Sequence, residues 1–392
     1  MTKINSNLYK IENENSFQRV IKISNEYKKN NPNKNIIALS IGDVINPIPN
    51  KVINKMKKAL SIQKHKRTFK GYGSSSGCDF LKEKILNNEY KKMNFSIDEI
   101  YISDGTKSDI INILEMFEPK SKILLNDIMY PIYYNGTQCL NKRIYVSKLD
   151  EQLNFIPIMP KKHYDIIYLC SPNNPIGYAL NKNQLTKWVN YAVKEKSIIL
   201  YDNVYNTFIQ DKNIPKSIYE IKGAKKVAIE FRSFSKSLSF SGIRCSYYIV
   251  PNEIYPDINK IWKERVINRF NGTNYITQVG AKEYYDNSVQ KKVTKNMKYY
   301  LDNAKILKET FIKNNFMVWG GENSPYLWIK IKENITSWEL FDLYLKKLNI
   351  IVTPGIIFGD SGNKYFRISS LANRGDILKA VERINKYYEK NN

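Results

Sequence analysis

The sequence predicts an α/β protein with a large domain built on a mostly parallel central sheet and a smaller α+β domain. Helical and strand patterns alternate through the middle of the chain, and several strand candidates are apolar on both faces, as buried parallel strands are. After about residue 285 the pattern changes to an α+β order. The 392 residues, 42% of them hydrophobic, suffice for two to three domains with sizeable cores.

The elements before residue 285 follow from the spacing of apolar residues. Apolar residues three and four positions apart predict helices over Phe17–Lys29, Lys51–Leu60, Asp79–Lys92, Ser108–Phe117 and Asn183–Lys196. Short apolar runs predict strands over Lys122–Asn126, Tyr164–Cys170, Ser197–Asp202, Lys226–Phe231 and Cys245–Val250. Strands separated by helices make βα units, so we assign residues 46–284 to the large domain.

The smaller domain is predicted from residues 285–392. Its elements are a long helix Ser288–Asn314, a strand Tyr326–Ile331, a helix Ser337–Leu348, strands near Ile350–Thr353 and Lys364–Ser369, and a final helix Arg374–Lys390. Residues 1–45 are too few for a domain of their own. We assign them to the small domain, with an arm reaching across a dimer as the alternative.

Composition excludes several classes of protein. No apolar run approaches the length of a membrane span, and the lysine-rich first 35 residues lack a signal-peptide pattern, so we expect a cytoplasmic protein without membrane contact. The four cysteines lie far apart, and the two histidines share no ligand spacing with them, so neither a metal site nor a disulfide framework is predicted.

The formal charge of +25 raises the question of nucleic acid. Only ten of the 62 basic residues are arginine, and the lysines are spread along the whole chain. Readers of bases and phosphates depend on the bidentate guanidinium, so diffuse lysine indicates a solvated surface rather than a specific nucleic-acid partner.

The sharpest chemical signal is Ser233-Phe234-Ser235-Lys236, followed by Gly242-Ile243-Arg244. A lysine on a loop after a strand, among hydroxyls and an arginine, suits a Schiff base to a phosphorylated aldehyde. The amine would meet the carbon, while Ser233, Ser235 and Arg244 would bind the phosphate.

Three further motifs agree with that chemistry, although each has a structural alternative. Asp202 ends a strand and could bind a protonated pyridine nitrogen, with Tyr205 near the ring hydroxyl; alternatively they are a helix cap and a packing residue. Asn174 in Ser171–Gly177 could face a ring oxygen, or the segment is only a turn. The segment 104–108 precedes a helix and could bind an anion.

These motifs in this order resemble the fold-type I pyridoxal-phosphate-dependent aminotransferases, and specifically the LL-diaminopimelate aminotransferase family. The resemblance covers nearly the whole chain. It rests on Ile41-Gly42-Asp43, Gly71-Tyr72-Gly73, Ser103–Lys107, Tyr130-Pro131, Ser171–Gly177, Glu230–Lys236, Arg269–Gly272 and Tyr365-Phe366-Arg367.

The resemblance implies a role for each matched residue. The catalytic residues would be Lys236, which forms the Schiff base and moves the proton, with Asp202 and Tyr205. Cofactor binding would involve Tyr72 of a partner subunit, Thr106, Lys107, Tyr130, Asn174, Asp202, Tyr205, Ser233, Ser235, Lys236 and Arg244. Substrate binding would involve Gly42, Lys107, Tyr130, Asn174 and Arg367, the last as a clamp on the α-carboxylate. Arg232 is left without a role and is expected to be structural.

It also implies pyridoxal 5′-phosphate as cofactor, an amino acid and a 2-oxo acid as substrates, a place in amino-acid biosynthesis and a homodimer with shared sites. Three positions depart from the family pattern. Ser75 replaces a glutamate expected at the substrate's distal end, Asn15 replaces a tyrosine, and Tyr275 replaces an asparagine, for which the adjacent Asn274 could substitute. We therefore hypothesise a donor with a different distal group. The alternatives are a genuine LL-diaminopimelate aminotransferase, an oxidase or lyase using the same cofactor, and a noncatalytic binding protein.

Overall fold

The structure is a computed structural model that describes residue 3, residues 5–11 and residues 16–391. Its α-helices are α1 Phe17–Asn30, α2 Asn50–Ser61, α3 Asp79–Glu89, α4 Thr106–Asn112, α5 Pro131–Cys139, α6 Lys182–Glu195, α7 Phe234–Ser237, α8 Ile258–Arg269, α9 Tyr275–Lys282, α10 Asn287–Lys313, α11 Ser337–Leu343 and α12 Arg374–Asn391. Its strands are β1 Ile37–Ala38, β2 Ile100–Ser103, β3 Lys122–Asn126, β4 Arg143–Ser147, β5 Ile166–Cys170, β6 Ile198–Asp202, β7 Ala228–Ser233, β8 Ser246–Ile249, β9 Val318–Gly320, β10 Tyr326–Lys330, β11 Ile350–Ile351, β12 Thr353–Pro354 and β13 Tyr365–Ser369.

The central sheet has seven strands in the order β2-β8-β7-β6-β5-β3-β4. Strands β3 to β7 pair in parallel, whereas β8 runs antiparallel to both β7 and β2. All five residues of β5 are buried, as expected for a strand covered on both faces. The predicted α/β class with a mostly parallel sheet is confirmed. An apolar run does not reveal direction, so the antiparallel course of β8 was not visible in the sequence.

The second sheet is antiparallel, in the order β12-β13-β10-β9, and places Trp328 opposite Arg367. Near it, β1 pairs in parallel with β11, with Ile37 opposite Ile350. The segment before α2 is therefore hydrogen-bonded to the C-terminal part of the chain. The domain boundaries at residues 45 and 285 stay a prediction.

Two predicted helices change geometry along their length. The helix expected over Ser108–Phe117 begins at Thr106 and becomes a 3₁₀ turn over Ile113–Met116. The helix expected over Ser337–Leu348 ends with a π-helical turn, Tyr344–Leu348, and Asn349 follows with a φ of 52°. The left-handed conformation at Asn349 stops the helix, and asparagine tolerates it better than most residues.

The carboxyl ends of β5, β6 and β7 lie side by side at one edge of the central sheet. The segment 171–177 follows β5, Asp202 ends β6, and Ser233 ends β7 directly before the helical turn that carries Lys236. In a mostly parallel sheet this edge is where ligands bind. Within the described part of the chain, no helix is long and apolar enough to cross a bilayer.

Candidate active site

A cavity of about 410 Å³ lies at this edge of the central sheet. Its walls come from the starts of α1 and α4, the ends of β5, β6 and β7, and strands β10 and β13. Twelve of the predicted site residues line it, namely Gly42, Thr106, Lys107, Tyr130, Asn174, Asp202, Tyr205, Ser233, Ser235, Lys236, Arg244 and Arg367. Tyr72 does not line it, and its side chain is 92% exposed.

Asp202 is a buried carboxylate in the cavity wall. The hydroxyl of Tyr133 and the backbone N–H of Val204 donate hydrogen bonds to it. Burial raises the pKa of Asp202 to about 6, although the hydrogen bond from Tyr133 opposes this rise. No α-helix begins at Asp202, so the helix-cap alternative does not hold. A buried carboxylate of this kind can accept a hydrogen bond from a protonated ring nitrogen.

Lys236 lies in α7, which is one turn long and begins at Phe234, directly after Ser233. The Ser233 side chain caps this turn by accepting a hydrogen bond from the backbone N–H of Ser235. The Lys236 ammonium donates to the backbone oxygen of Gly42 and lies 3.6 Å from Oδ1 of Asp43. Burial lowers the pKa of Lys236, while Asp43 opposes the shift. A lysine with a lowered pKa is more often neutral, which suits a nucleophile or a base.

The start of α4, α7 and Arg244 enclose a polar corner of the cavity. Gly105 precedes α4 with a φ of 152°, and a Cβ there would collide with the guanidinium of Arg244. Arg244 donates to the backbone oxygen of Ser241 at 2.9 Å and lies 3.5 Å from Oγ of Ser235. Backbone N–H groups, hydroxyls and a guanidinium together can hold a phosphate. The Thr106 hydroxyl is already used, because it donates to the backbone oxygen of Arg232.

Arg367, on β13, is 2% exposed and forms the opposite wall. Its Nη1 donates to Oδ1 of Asn174 at 2.7 Å, and its Nη2 donates to the backbone oxygen of Ser40 at 2.7 Å. Nε is buried and has no hydrogen-bond partner among the described residues. Because buried donors are rarely left unpaired, this atom indicates a missing acceptor, such as a ligand carboxylate. Asn174 therefore contacts Arg367 and lines the cavity, so its side chain does more than shape a turn.

Two tyrosines of the cavity were missed by the sequence reasoning. Tyr133 contacts Asp202, and Tyr326 forms a hydrogen bond of 2.6 Å with Tyr205 through their hydroxyls. Tyr133 lies in α5, which was not predicted, and its position three residues after Tyr130 in a helix is the signal that could have found it. Tyr326 was recognised only as the first residue of a strand.

Arg232 does not line the cavity, as expected for a structural residue. It forms a buried ion pair with Glu89, lies 3.5 Å from Glu230 and donates to the backbone oxygen of Lys216. The cluster holds β7 against α3. Arg232 is therefore structural.

Two of the positions that depart from the family pattern, Ser75 and Tyr275, do not line the cavity that holds Lys236. Ser75 lines a second, polar cavity of about 330 Å³ with Asp104, Arg265 and Arg269. Tyr275 packs edge-on against Phe80, and the side-chain oxygen of Asn274 caps α9. That oxygen is thus already engaged, which weakens Asn274 as a substitute for the family's asparagine. Asn15 lies outside the described residues.

Comparison with known proteins supports the same chemistry. A family model described as aminotransferase class I and II matches residues 34–384. The LL-diaminopimelate aminotransferase of Parabacteroides distasonis is 42% identical, over 99% of this chain and 100% of that protein. The protein of that name from Lawsonia intracellularis is 43% identical, over 92% of this chain and 93% of its own length.

A solved structure agrees as well. The L,L-diaminopimelate aminotransferase from Chlamydomonas reinhardtii superposes with a TM-score of 0.93 at 34% identity, covering 99% of each chain. Enzymes of this family use pyridoxal 5′-phosphate, and the described residues fit it: the polar corner beside Gly105 suits its phosphate, Asp202 its ring nitrogen and Lys236 its aldehyde. The chain therefore belongs to the class I and II aminotransferases and is a pyridoxal-phosphate-dependent enzyme.

Proposed function

We propose that this aminotransferase takes its amino group from LL-diaminopimelate and passes it to a 2-oxo acid. The observation that carries the proposal is the identity of 42% to a protein of that name over essentially both whole chains. The cavity supports it, because twelve of the thirteen residues expected to serve cofactor and substrate line one space.

The cavity residues divide the chemistry between them. When bound, pyridoxal 5′-phosphate supplies an aldehyde and an electron-withdrawing ring. Lys236 Nζ is the amine that would hold the aldehyde, and in its neutral, unattached form the same atom can take the α-proton of the substrate. Burial lowers the pKa of Lys236, which favours the neutral amine that can accept a proton. Asp202 would stabilise a protonated ring nitrogen, since its ionised carboxylate lines the same cavity.

Arg367 binds the α-carboxylate of either substrate. Asn174 and Ser40 already hold Nη1 and Nη2 in place, so the guanidinium is oriented before a ligand arrives. A carboxylate reaching the unpaired Nε would complete the hydrogen bonding of the side chain. Preorganisation of this kind lowers the entropy that substrate binding costs.

We further propose that the enzyme is a homodimer in which Tyr72 completes the cavity of the second copy. The side chains of Tyr72 and Phe69 are 92% and 63% exposed, and aromatic side chains so exposed on one segment fit an interface. The backbone around Gly272 packs against Ser74, which ties this segment to the start of α9.

Subunit mixing tests this arrangement. Tyr72→Ala and Lys236→Ala each disable the site to which they contribute, so each variant alone is expected to be inactive. If Tyr72 acts across the interface, exchanging subunits between the two should restore about a quarter of the wild-type activity. Tyr255→Ala, at another exposed tyrosine, serves as the control and is expected to stay active. No recovery on mixing would contradict the shared site.

A donor with a less charged distal group is the second candidate. Ser75 carries no charge where the family has a carboxylate, and the α1 side of the cavity is apolar, with Phe17, Val20 and Ile21 lining it. A missing partner for a substrate ammonium costs about 2 to 5 kcal/mol of binding free energy. This loss would redirect specificity unless another group recognises the ammonium.

A donor panel decides between the candidates. The absorbance of the bound cofactor is followed while LL-diaminopimelate, lysine, ornithine, glutamate or an aromatic amino acid is added, with Lys236→Ala as the inactive control. We expect LL-diaminopimelate to exceed every other donor in kcat/KM by at least about tenfold. Preference for another donor would establish the second candidate. Oxygen uptake or release of keto acid without an acceptor would indicate an oxidase or lyase.

A further inference from the structure

Tyr326 joins three parts of the site that the proposed function treats separately. It is the first residue of β10, its side chain is 1% exposed, and it lines the cavity. Tyr205, Arg367 and Gly42 all contact it. These three residues are assigned to the cofactor, the substrate carboxylate and the substrate backbone wall respectively, whereas Tyr326 has no assignment.

The first contact joins two hydroxyl groups. Tyr205 Oη and Tyr326 Oη are 2.6 Å apart, and the two rings meet nearly at right angles, with centroids separated by 5.3 Å. Burial raises the pKa of both phenols, so both keep their protons at neutral pH. Each hydroxyl has one hydrogen to donate. When Tyr326 donates to Tyr205, the hydrogen of Tyr205 is free to reach an acceptor in the cavity.

The second contact supports the guanidinium. The Cζ atom of Arg367 lies 4.4 Å from the centroid of the Tyr326 ring, within cation–π range. Sheet register fixes this geometry. Trp328 stands opposite Arg367, and Tyr326, two residues earlier on the same face, is the diagonal neighbour of Arg367.

The third contact is with Gly42. A Cβ on Gly42 would lie 2.5 Å from the hydroxyl oxygen of Tyr326, so this oxygen occupies the space that a side chain would need. Gly42 also accepts the hydrogen bond from Lys236. The Tyr326 hydroxyl thus packs against Gly42, whose backbone oxygen in turn accepts the hydrogen bond from Lys236.

We propose that Tyr326 is a positioning residue for transamination, which directs the Tyr205 hydroxyl toward the cofactor's ring oxygen and holds the Arg367 guanidinium for the substrate carboxylate. This inference rests on the proposed function of the cavity. It separates two effects. The hydroxyl acts on the cofactor through Tyr205, and the ring acts on the substrate through Arg367.

Two variants separate these effects. Tyr326→Phe keeps the ring and removes only the hydroxyl, whereas Tyr326→Leu removes both. Tyr344→Phe is the matched control, because Tyr344 is also fully buried and its hydroxyl lies 3.3 Å from that of Tyr388, away from the cavity. Thermal unfolding shows whether each variant folds.

The first readout is the cofactor's visible absorbance as a function of pH, which requires no amino donor. In Tyr326→Phe the midpoint of this titration should shift by about half a unit or more, because a hydrogen bond to Tyr205 is lost. The kcat should fall roughly three- to tenfold while KM changes little. In Tyr326→Leu the KM for the donor should also rise, by about fivefold or more. Tyr344→Phe should lower thermal stability alone.

An unchanged titration midpoint in Tyr326→Phe would overturn the link to Tyr205, and an unchanged KM in Tyr326→Leu would overturn the link to Arg367. A shift of the titration midpoint of equal size in Tyr344→Phe would show that the change in Tyr326→Phe comes from general packing and not from the contact with Tyr205. If the wild-type enzyme transaminated none of the donors, the proposed function would fail. In that case the cofactor titration and the affinity for a free dicarboxylate, measured on the same variants, would still decide the role of Tyr326.

Discussion

The hydroxyl of Tyr133 donates a hydrogen bond to the carboxylate of Asp202. Tyr133 belongs to α5 and Asp202 ends β6, so the helix that begins directly after Tyr130 also supports a buried acid of the cavity. This bond lowers the pKa of Asp202, whereas burial raises it by more, to about 6. Without a cationic ligand, the ionised carboxylate is a cost to the folded protein.

The first prediction concerns that cost. The pKa of Asp202 is about 6 in the folded protein and 3.8 in the unfolded chain. Between pH 3.8 and 6 this carboxyl group is therefore mostly protonated in the folded state and mostly ionised in the unfolded state. The stability of the apoenzyme should therefore rise as pH falls from 7 toward 4 through this group. Asp202→Asn should stabilise the apoenzyme at pH 8, by up to about 3 kcal/mol, with no gain near pH 4.

Thermal unfolding of the two apoproteins from pH 4 to pH 8 measures this difference. In the same variant kcat/KM should fall about 100-fold or more, because the ring nitrogen loses its anionic partner. Equal stability of wild type and variant at pH 8 would show that burial of the ionised carboxylate does not destabilise the folded protein.

The second prediction tests the guanidinium clamp. Arg367→Lys keeps the positive charge but loses the planar fork, so kcat/KM for the amino donor should fall by about 100-fold, mostly through KM. The cofactor's absorbance should stay as in the wild type. Arg383→Lys is the control, since Arg383 donates to the backbone oxygens of Asn35 and Leu348, none of which lines the cavity. Steady-state kinetics of the three proteins should separate them, and a wild-type KM in Arg367→Lys would refute the clamp.

The third prediction tests the phosphate corner. Gly105→Ala places a methyl group against Arg244 and strains a φ of 152°, so the Kd for pyridoxal 5′-phosphate should rise by about tenfold or more. Gly375→Ala, where a Cβ meets open space, should leave the Kd unchanged. Titration of each apoprotein with the cofactor, followed by fluorescence or absorbance, measures both values. Tight binding by Gly105→Ala would place the phosphate elsewhere.

The fourth prediction concerns Ser75. Restoring the family's carboxylate with Ser75→Glu should raise the preference for LL-diaminopimelate over a donor without a distal ammonium by about tenfold or more. Ser75→Gln, of the same shape but neutral, is the matched control and should leave the ratio of kcat/KM values unchanged. An equal response of the two variants would show that this position does not recognise charge.

Part of this site was predictable because the chemistry requires particular residues at strand ends. Asp202, Asn174 and Lys236 follow three apolar runs of recognisable length, and the order of motifs along the chain identifies them. Tyr133 and Tyr326 were missed, since a tyrosine within an apolar stretch has the appearance of a core residue. Only its contacts, with Asp202 in one case and Tyr205 in the other, reveal its position in the site.

The missed elements have a similar explanation. In α8, Trp262 and Val266 are buried, but Ile261 and Ile267 are exposed, so apolar residues surround the helix and hide its periodicity. Strand β4 lies at the edge of the sheet and is largely exposed, Tyr145 and Val146 included, and its apolar run is only three residues long, between Arg143 and Ser147.

The pairing of β1 with β11 also determines when the site is assembled during synthesis. The hydrogen bond from Arg367 to Ser40, two residues after β1, joins positions 327 residues apart. During synthesis β1 cannot pair before β11 has left the ribosome, and Ser40 cannot meet Arg367 before β13 has, whereas the strands of the central sheet can pair earlier. The wall formed by Ser40 and Arg367 is thus completed late in synthesis, and a chain that ends before β13 lacks this wall of the cavity.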